Sequence, residues 1–353
     1  MKMNREQLLK RLALLRPALK SGGMIVELGH IWFKEGVAFA FGGPGEQRGM
    51  LGARVKLDVG LACGLPGDVL LGLLASSRLP EASLDPDEQG VVTLKLGRSV
   101  SKLASLKLDR GVWPFPKDGE PQERVSVDEV FLAALARALV VDPKSVSRVE
   151  HRGVVFYRDK RGAALSATDS TTIVVVALAA VLKKQYLPVM LPRAFAEQVV
   201  KACSVGDELL LYDDYLVVVG ADVSIYTQVV DVTEVQDVRE IVAGVVKKHP
   251  EAVPIPAGLK IALERAVLLA GGDDAVADVA VAKGDLTVRG KYKYGELSER
   301  VRLKAEHPDA QAQFTASRVL RGLDGAKSFS LDENALLLCG GQGDIYAVAP
   351  RRA

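Results

Sequence analysis

Val92-Thr93-Leu94-Lys95-Leu96-Gly97, Leu216-Val217-Val218-Val219-Gly220 and Leu336-Leu337-Leu338-Cys339-Gly340 are three apolar, strand-like stretches, each closing on glycine and followed by an alternating stretch. The three glycines lie 123 and 120 residues apart. Ahead of each sits a short amphipathic helix candidate, over residues 65–78, 190–203 and 315–322. Each unit also opens with a longer one, over 3–20, 126–141 and 256–270. A period this long exceeds the roughly 20–50 residues of stacked repeats, so each copy is expected to be a small domain with its own core. Proline marks the joints, at Trp113-Pro114-Phe115-Pro116 with Pro121 and again over 247–256. The expected domains are therefore 1–121, 122–249 and 250–353.

Local signals fill in the units. Ser126-Val127-Asp128-Glu129 has the form of a capping box, ahead of an apolar stripe of Phe131, Leu132, Leu135 and Leu139. Pro254-Ile255-Pro256 leads into a helix with Leu259, Leu263 and Ala266 on one face, stopped by Gly271-Gly272. The first helix carries Leu8, Leu12, Leu15 and Leu19, and Pro17 should end or kink it near Arg16. Residues 26–41, 154–177 and 278–304 have strand-like patterning.

Composition sets the class. Of 353 residues, 48% are hydrophobic and 25% charged, which suits two or three packed domains. The longest apolar run, 173–182, is shorter than the about 20 residues that cross a bilayer. The N-terminus leads into charged helix rather than an apolar signal segment. Cys63, Cys203 and Cys339 are odd in number and far apart, as structural thiols in a reducing compartment would be. A soluble, cytoplasmic protein without membrane contact is expected.

Charge is segregated. The six helix candidates carry +4, 0, −1, +1, +1 and +2 in chain order, so +7 in total, while the chain as a whole carries +2. The remainder is therefore at −5. Basic helices on an acidic strand scaffold suit a surface that faces phosphate backbone without reading bases. A plain preference of lysine and arginine for exposed helix positions gives a similar pattern.

Chemistry of other kinds is not signalled. His30, His151, His249 and His307 have no His or Cys neighbours at metal-ligand spacing. Residues 42–49 are glycine-rich but lack the Gly-Lys-Ser/Thr ending of a phosphate loop. Lys291-Tyr292-Lys293-Tyr294 is basic and aromatic, with an exposed strand as the plainer reading. No Ser/His/Asp arrangement emerges from spacing. No enzyme, no cofactor and no metal are expected.

The order of several short segments resembles the bacterial DNA polymerase III beta subunit, the sliding clamp, over nearly the whole length. Arg5-Glu6-Gln7-Leu8-Leu9-Lys10 resembles that family's opening helix, and Gly97-Arg98-Ser99 with Ser101, Leu103 and Ser105 the end of its first domain. Ala167-Thr168-Asp169 resembles the Ala-Thr-Asp-Gly-His-Arg-Leu segment, and Leu191-Pro192-Arg193 the second-domain Val-Pro-Arg. His249-Pro250-Glu251 through Pro256 resembles the Phe-Pro-Asp-Tyr to Leu-Pro junction, and Ile261 to Leu269 the third domain's first helix. Gly295-Glu296-Leu297-Ser298-Glu299 resembles the Gly-Glu-Ala-Glu-Glu hairpin, and residues 346–352 the terminal Tyr-Val-Val-Met-Pro-Met-Arg. The chain departs at Ser170-Thr171-Thr172, where Gly-His-Arg is common, and at Ala349 and Arg351, which replace methionines.

The resemblance implies an α+β fold of three clamp domains, each with two helices and two antiparallel sheets. Two chains then close head to tail into a six-domain ring, which also removes exposed sheet edges. It implies a DNA replication processivity factor that encircles double-stranded DNA. Its partners would be itself as a homodimer, a replicative polymerase, an ATP-driven clamp loader and other proteins with clamp-binding peptides. Arg5, Lys10, Arg16, Lys20, Arg193, Lys201, Lys260, Arg265, Arg318 and Arg321 are the candidates to face DNA, with Lys144 and Arg148 in a DNA-touching loop. Singly, each also reads as a solvated charge; the set carries the expectation. The peptide pocket would be lined by Thr168, Thr171, Ile173, Pro250, Val253, Ala347 and Pro350, although Ile173 and Val253 read equally as core. Ala347 and Ala349 should make that groove roomy. Leu268 and Leu269 of one subunit would meet the strand around Leu103 of the next. The competing expectation is a repeat-domain structural protein that encircles nothing.

Overall fold

The computed structural model of the protein describes all residues except 1, 20–24, 43–50, 58, 108–118, 142–147, 149–150, 160–161, 179–185, 231, 233–234, 236 and 352–353. Lys20, Lys144, the 113–116 linker and most of the glycine-rich 42–49 segment lie outside the described residues. The fold is α+β, with seven helices among the described residues and antiparallel sheets. The helices are α1 (Arg5–Ala13), α2 (Gly67–Ser76), α3 (Glu129–Ala138), α4 (Arg193–Ala202), α5 (Val238–Val246), α6 (Gly258–Ala270) and α7 (Ala316–Leu323). Among the described residues no helix is long and apolar enough to cross a membrane.

Six of the seven helices fall on the expected segments, five of them shortened by local chemistry and α7 shifted by one residue. α1 stops at Ala13, and Pro17 sits inside a separate 3-10 turn, Arg16–Ala18. The capping box at Ser126 does not form. Ser126 and Val127 belong to the strand Glu123–Val127, paired with Glu208 and Asp207, and Asp128 caps α3 instead by accepting the Phe131 N–H at 2.7 Å. At the end of α6, Gly271 is left-handed (φ 72°) and its N–H returns to the Val267 and Leu268 carbonyls. α5 lies outside the six expected helical segments.

The chain folds as two compact units, residues 1–132 with 191–230, and residues 133–190 with 231–353. The first unit holds a four-stranded sheet in the order Lys2–Asn4, Glu81–Pro86, Val91–Leu96, Ser99–Ala104. It also holds a nine-stranded sheet, in which Val223–Gln228 pairs with Gly52–Lys56. The second unit holds an eight-stranded sheet, in which Thr172–Leu178 pairs with Ile345–Val348. Its four-stranded sheet runs Gly295–Arg302, Asp285–Tyr292, Val276–Ala282, Ala310–Thr315. In each large sheet, a strand of the middle sequence copy pairs with a strand of an outer copy.

The three repeat glycines follow the strands Val91–Leu96, Tyr215–Val219 and Leu336–Cys339 as expected, for different physical reasons. Gly97 is left-handed (φ 61°). A Cβ at Gly220 would lie 2.6 Å from Asp207 Oδ2, and one at Gly340 would lie 2.8 Å from Arg137 Nη2. Arg137, at the end of α3, is paired with the buried Asp344, whose other carboxylate oxygen accepts the Ala177 N–H at 3.1 Å.

Candidate functional site

Strand register in the second unit assembles a row across five strands. Thr168 is opposite Ile173, Ile173 opposite Ala347, Ala347 opposite Leu337, and Leu337 opposite Ser330. Direct partners share a face, so three of the seven expected pocket residues lie side by side. Ile173 is half-buried, whereas Thr168 and Ala347 are buried. Pro250 sits at the far end, its carbonyl accepting the Ser330 hydroxyl at 2.9 Å. Val253 does not join them. It pairs with Phe329, whose row continues through Leu338, Tyr346 and Val174 on the opposite face.

The near end of the row is a tightly bonded loop. Asp169 Oδ1 accepts the Thr171 and Thr172 N–H groups at 3.0 and 2.7 Å and the Thr171 hydroxyl at 2.7 Å. Ser170 between them is left-handed (φ 72°), a conformation that costs a side-chain-bearing residue roughly 1–2 kcal/mol. It is held there by the Thr168 hydroxyl, which accepts its N–H at 3.2 Å, and by His151, 2.8 Å from its own hydroxyl. Arg318 of α7 donates to the Thr171 hydroxyl, and its guanidinium lies 3.8 Å from Asp169 Oδ2. The C-terminal segment passes alongside. Ala349 N–H donates to Thr171 O and Arg351 N–H to Gln313 O, both at 2.7 Å, with the half-buried Pro350 between.

The row is not open along its length. Val245 of α5 packs against the cluster of Ala335, Leu337 and Ala347, as do Cys339 and Ile345. Beyond α5, His249 Nδ1 lies 3.2 Å from Ser330 Oγ and Nε2 lies 3.2 Å from Asp332. This Ser-His-Asp grouping escaped the spacing argument, and its geometry does not present a nucleophile. The Ser330 side chain is buried and its proton is directed to the Pro250 carbonyl. Burial holds the His249 imidazole below its usual range, as does nearby His307, while Asp332 opposes the shift. Among the described residues no three His, Cys, Asp or Glu side chains are placed to hold a metal ion.

The basic residues divide into two groups. Arg5 is turned inward, donating to the Leu79 and Leu74 carbonyls at 3.0 and 3.3 Å just beyond and within the last turns of α2. Arg193 pairs with Glu197 at 2.8 Å, Lys260 with Asp324 at 3.0 Å and Arg265 with Glu299 at 2.5 Å. Lys10, Arg16, Lys201 and Arg321 are exposed and without an ion pair among the described residues. Arg148 is exposed. In the first unit, the Gln198 side chain of α4 donates to Leu14 O at 2.9 Å, fastening α4 beside the end of α1.

The expected subunit contact is uneven. Leu268 is 76% exposed and Leu269 half-buried, and exposed Tyr294 joins them at the end of α6, its N–H donating to Leu269 O at 3.0 Å. Leu103 is already buried within the first unit; the large apolar side chain its edge strand Ser99–Ala104 offers to solvent is Val100.

No protein-family model matches the chain, and no curated protein matches it. Solved structures do. The DNA polymerase III subunit beta of Pseudomonas aeruginosa superposes with a TM-score of 0.81 at 17% identity, covering 100% of both chains. The sliding clamp of Bartonella birtlesii bound to griselimycin gives 0.83 at 14% identity, over 100% of this chain and 99% of that one. The Helicobacter pylori beta clamp bound to a DNA ligase peptide gives 0.80 at 14% identity, with the same coverage. The chain has the sliding-clamp fold from end to end.

Proposed function

We propose that this chain is a DNA sliding clamp, a non-enzymatic processivity factor of replication. Two copies close head to tail into a six-domain ring around duplex DNA. The ring tethers a polymerase and other replication proteins through peptides docked along the Thr168–Ile173–Ala347 row. The observation that carries this reading is the clamp fold over the whole chain, at a TM-score of 0.81 and full coverage of both chains. Three further features support it. Exposed cations on or beside α1, α4 and α7 attract phosphate without reading sequence. Ser99–Ala104 and Gly295–Arg302 are terminal strands of their sheets, and terminal strands invite pairing with another chain. Exposed Leu268 and Tyr294 lie beside the second of these, where a second copy would cover them.

Native mass measurement with imaging tests the ring: a dimer with a central hole is expected. Leu268→Ala with Leu269→Ala should release monomers at micromolar concentration, since each leucine buried in the contact contributes about 2–5 kcal/mol. An ATP-driven loader should place the ring on primed circular DNA, and cutting the circle should let it slide off. Retention on free-ended linear DNA at about 200 mM salt would instead mean an ordinary groove binder, whose phosphate contacts weaken steeply with salt. Ile173→Asp should abolish peptide binding and leave the dimer intact.

A further inference from the structure

Three sequence copies account for six helices, two in each: α1 and α2, α3 and α4, α6 and α7. α5 has no counterpart among the described residues of the other copies. It is nine residues long and bears an apolar stripe of Val238, Ile241, Val242 and Val245. Its placement is specific. At its N-terminus Asp237 caps the helix and grips Arg239, whose guanidinium lies 3.8 Å above the Tyr157 ring. Tyr157 pairs with Ala164, two residues from Ser166 on the strand that ends at Thr168. Near its C-terminus Val245 packs against the cluster of Ala335, Leu337 and Ala347. α5 thus crosses the face that carries Thr168, Ile173 and Ala347.

We infer that α5 is an intramolecular occupant of this groove, and that a docking peptide must lift its C-terminal turn to seat an apolar anchor at Ala347. The inference rests on reading that face as the peptide groove. Three observations support displacement over a fixed wall. Helices shorter than about 12–15 residues are marginal on their own, so α5 holds only through its packing. That packing is lightest at the end over the groove: Val238 and Val242 are buried, but Ile241 and Val245 are half-buried and Val246 is exposed. The last turn also contains Gly244, where an added Cβ would meet nothing within 4 Å. No packing demand explains a glycine there, and its effect is to make this turn easier to unwind.

The test uses the full-length chain and fluorescein-labelled peptides tiling the C-terminal tail of its own replicative polymerase, read by anisotropy. Gly244→Ala adds a methyl to open space and stiffens the turn, so peptide binding should weaken roughly fivefold. Val245→Ser should tighten binding several-fold. A Val245→Cys, Ala347→Cys pair, oxidised to a disulfide, should abolish binding, and reductant should restore it. Equal binding by the parent, Gly244→Ala and the oxidised pair would overturn the occupant and leave the groove standing. Weaker binding by Val245→Ser would make α5 part of the groove wall, which also overturns it. Binding that survives Ile173→Asp, or no binding by the parent or by Val245→Ser, overturns the groove reading itself.

Discussion

Alternate residues of the same strands build the two faces of the eight-stranded sheet, and those faces differ in kind. Val253, Phe329, Leu338, Tyr346 and Val174 form one row, and every one is buried. α7 closes over it, with Gly322 against the Tyr346 ring and the Tyr346 hydroxyl donating to Arg318 O at 3.0 Å. One residue along each strand, Thr168, Ile173, Ala347, Leu337 and Ser330 mix polar, small and aliphatic side chains under a short helix that half-buries its own contact residues. The period of two lets one strand carry a sealed core on one side and the proposed peptide groove on the other. The first face is filled by bulky and aromatic side chains that are buried throughout, the second by smaller and polar ones beneath a short helix.

The contrast breaks most readily at the sealed face. Phe329→Ala should cost about 3–5 kcal/mol in denaturant unfolding, because a fully buried ring leaves a cavity. A loss near that of an exposed site would mean that this face is no core. Gly322→Ala should cost about 1–3 kcal/mol, since the new methyl would crowd the Tyr346 ring and lie 2.8 Å from Leu338 Cδ1. On the covered face, Val245→Ala should cost about 1 kcal/mol or less, as only part of its side chain is removed from water. An effect as large as that of Phe329→Ala would make α5 an integral part of the core.

The smallest effect concerns pH. His249 is 2% exposed, and burial favours its neutral form against the opposing pull of Asp332. Its folded pKa is therefore below the unfolded one, so as pH falls the unfolded chain takes up the proton first. The stability of the neutral contact is present above about pH 6.5 and declines below it. Melting at pH 5 and pH 7.5 should differ less for His249→Gln than for the parent. An equal difference would leave His249 without a part in the pH response.

Much of this was legible in residue order. The glycine-terminated strands, the six paired helices and the Gly271 stop followed from periodicity and turn chemistry, which act over a few residues. α5 was equally legible, with Asp237 as cap and Val238, Ile241, Val242 and Val245 at helical spacing. Thr168, Ile173 and Ala347 came from resemblance and lie side by side on adjacent strands, with Pro250 at the far end of the same row. Val253 was assigned to the same site, yet its two-residue strand pairs in the register that turns it to the other face. Leu337, Ser330 and Val245 had no local mark. Charges could be counted but not their partners: Arg265 meets Glu299 across 34 residues, and Arg318 meets Thr171 across 147.

By itself the sequence determined most of the helices and strands and the sign of the charge they display, because each depends on spacing along a few turns or pleats. The tertiary structure alone decided which side of a strand faces α7 and which faces α5, which cations pair with carboxylates of the same chain, and what packs against the cluster of Ala335, Leu337 and Ala347. Those outcomes hang on register between segments far apart in the chain. A shift of one residue there exchanges the two faces of a strand and leaves its local pattern unchanged.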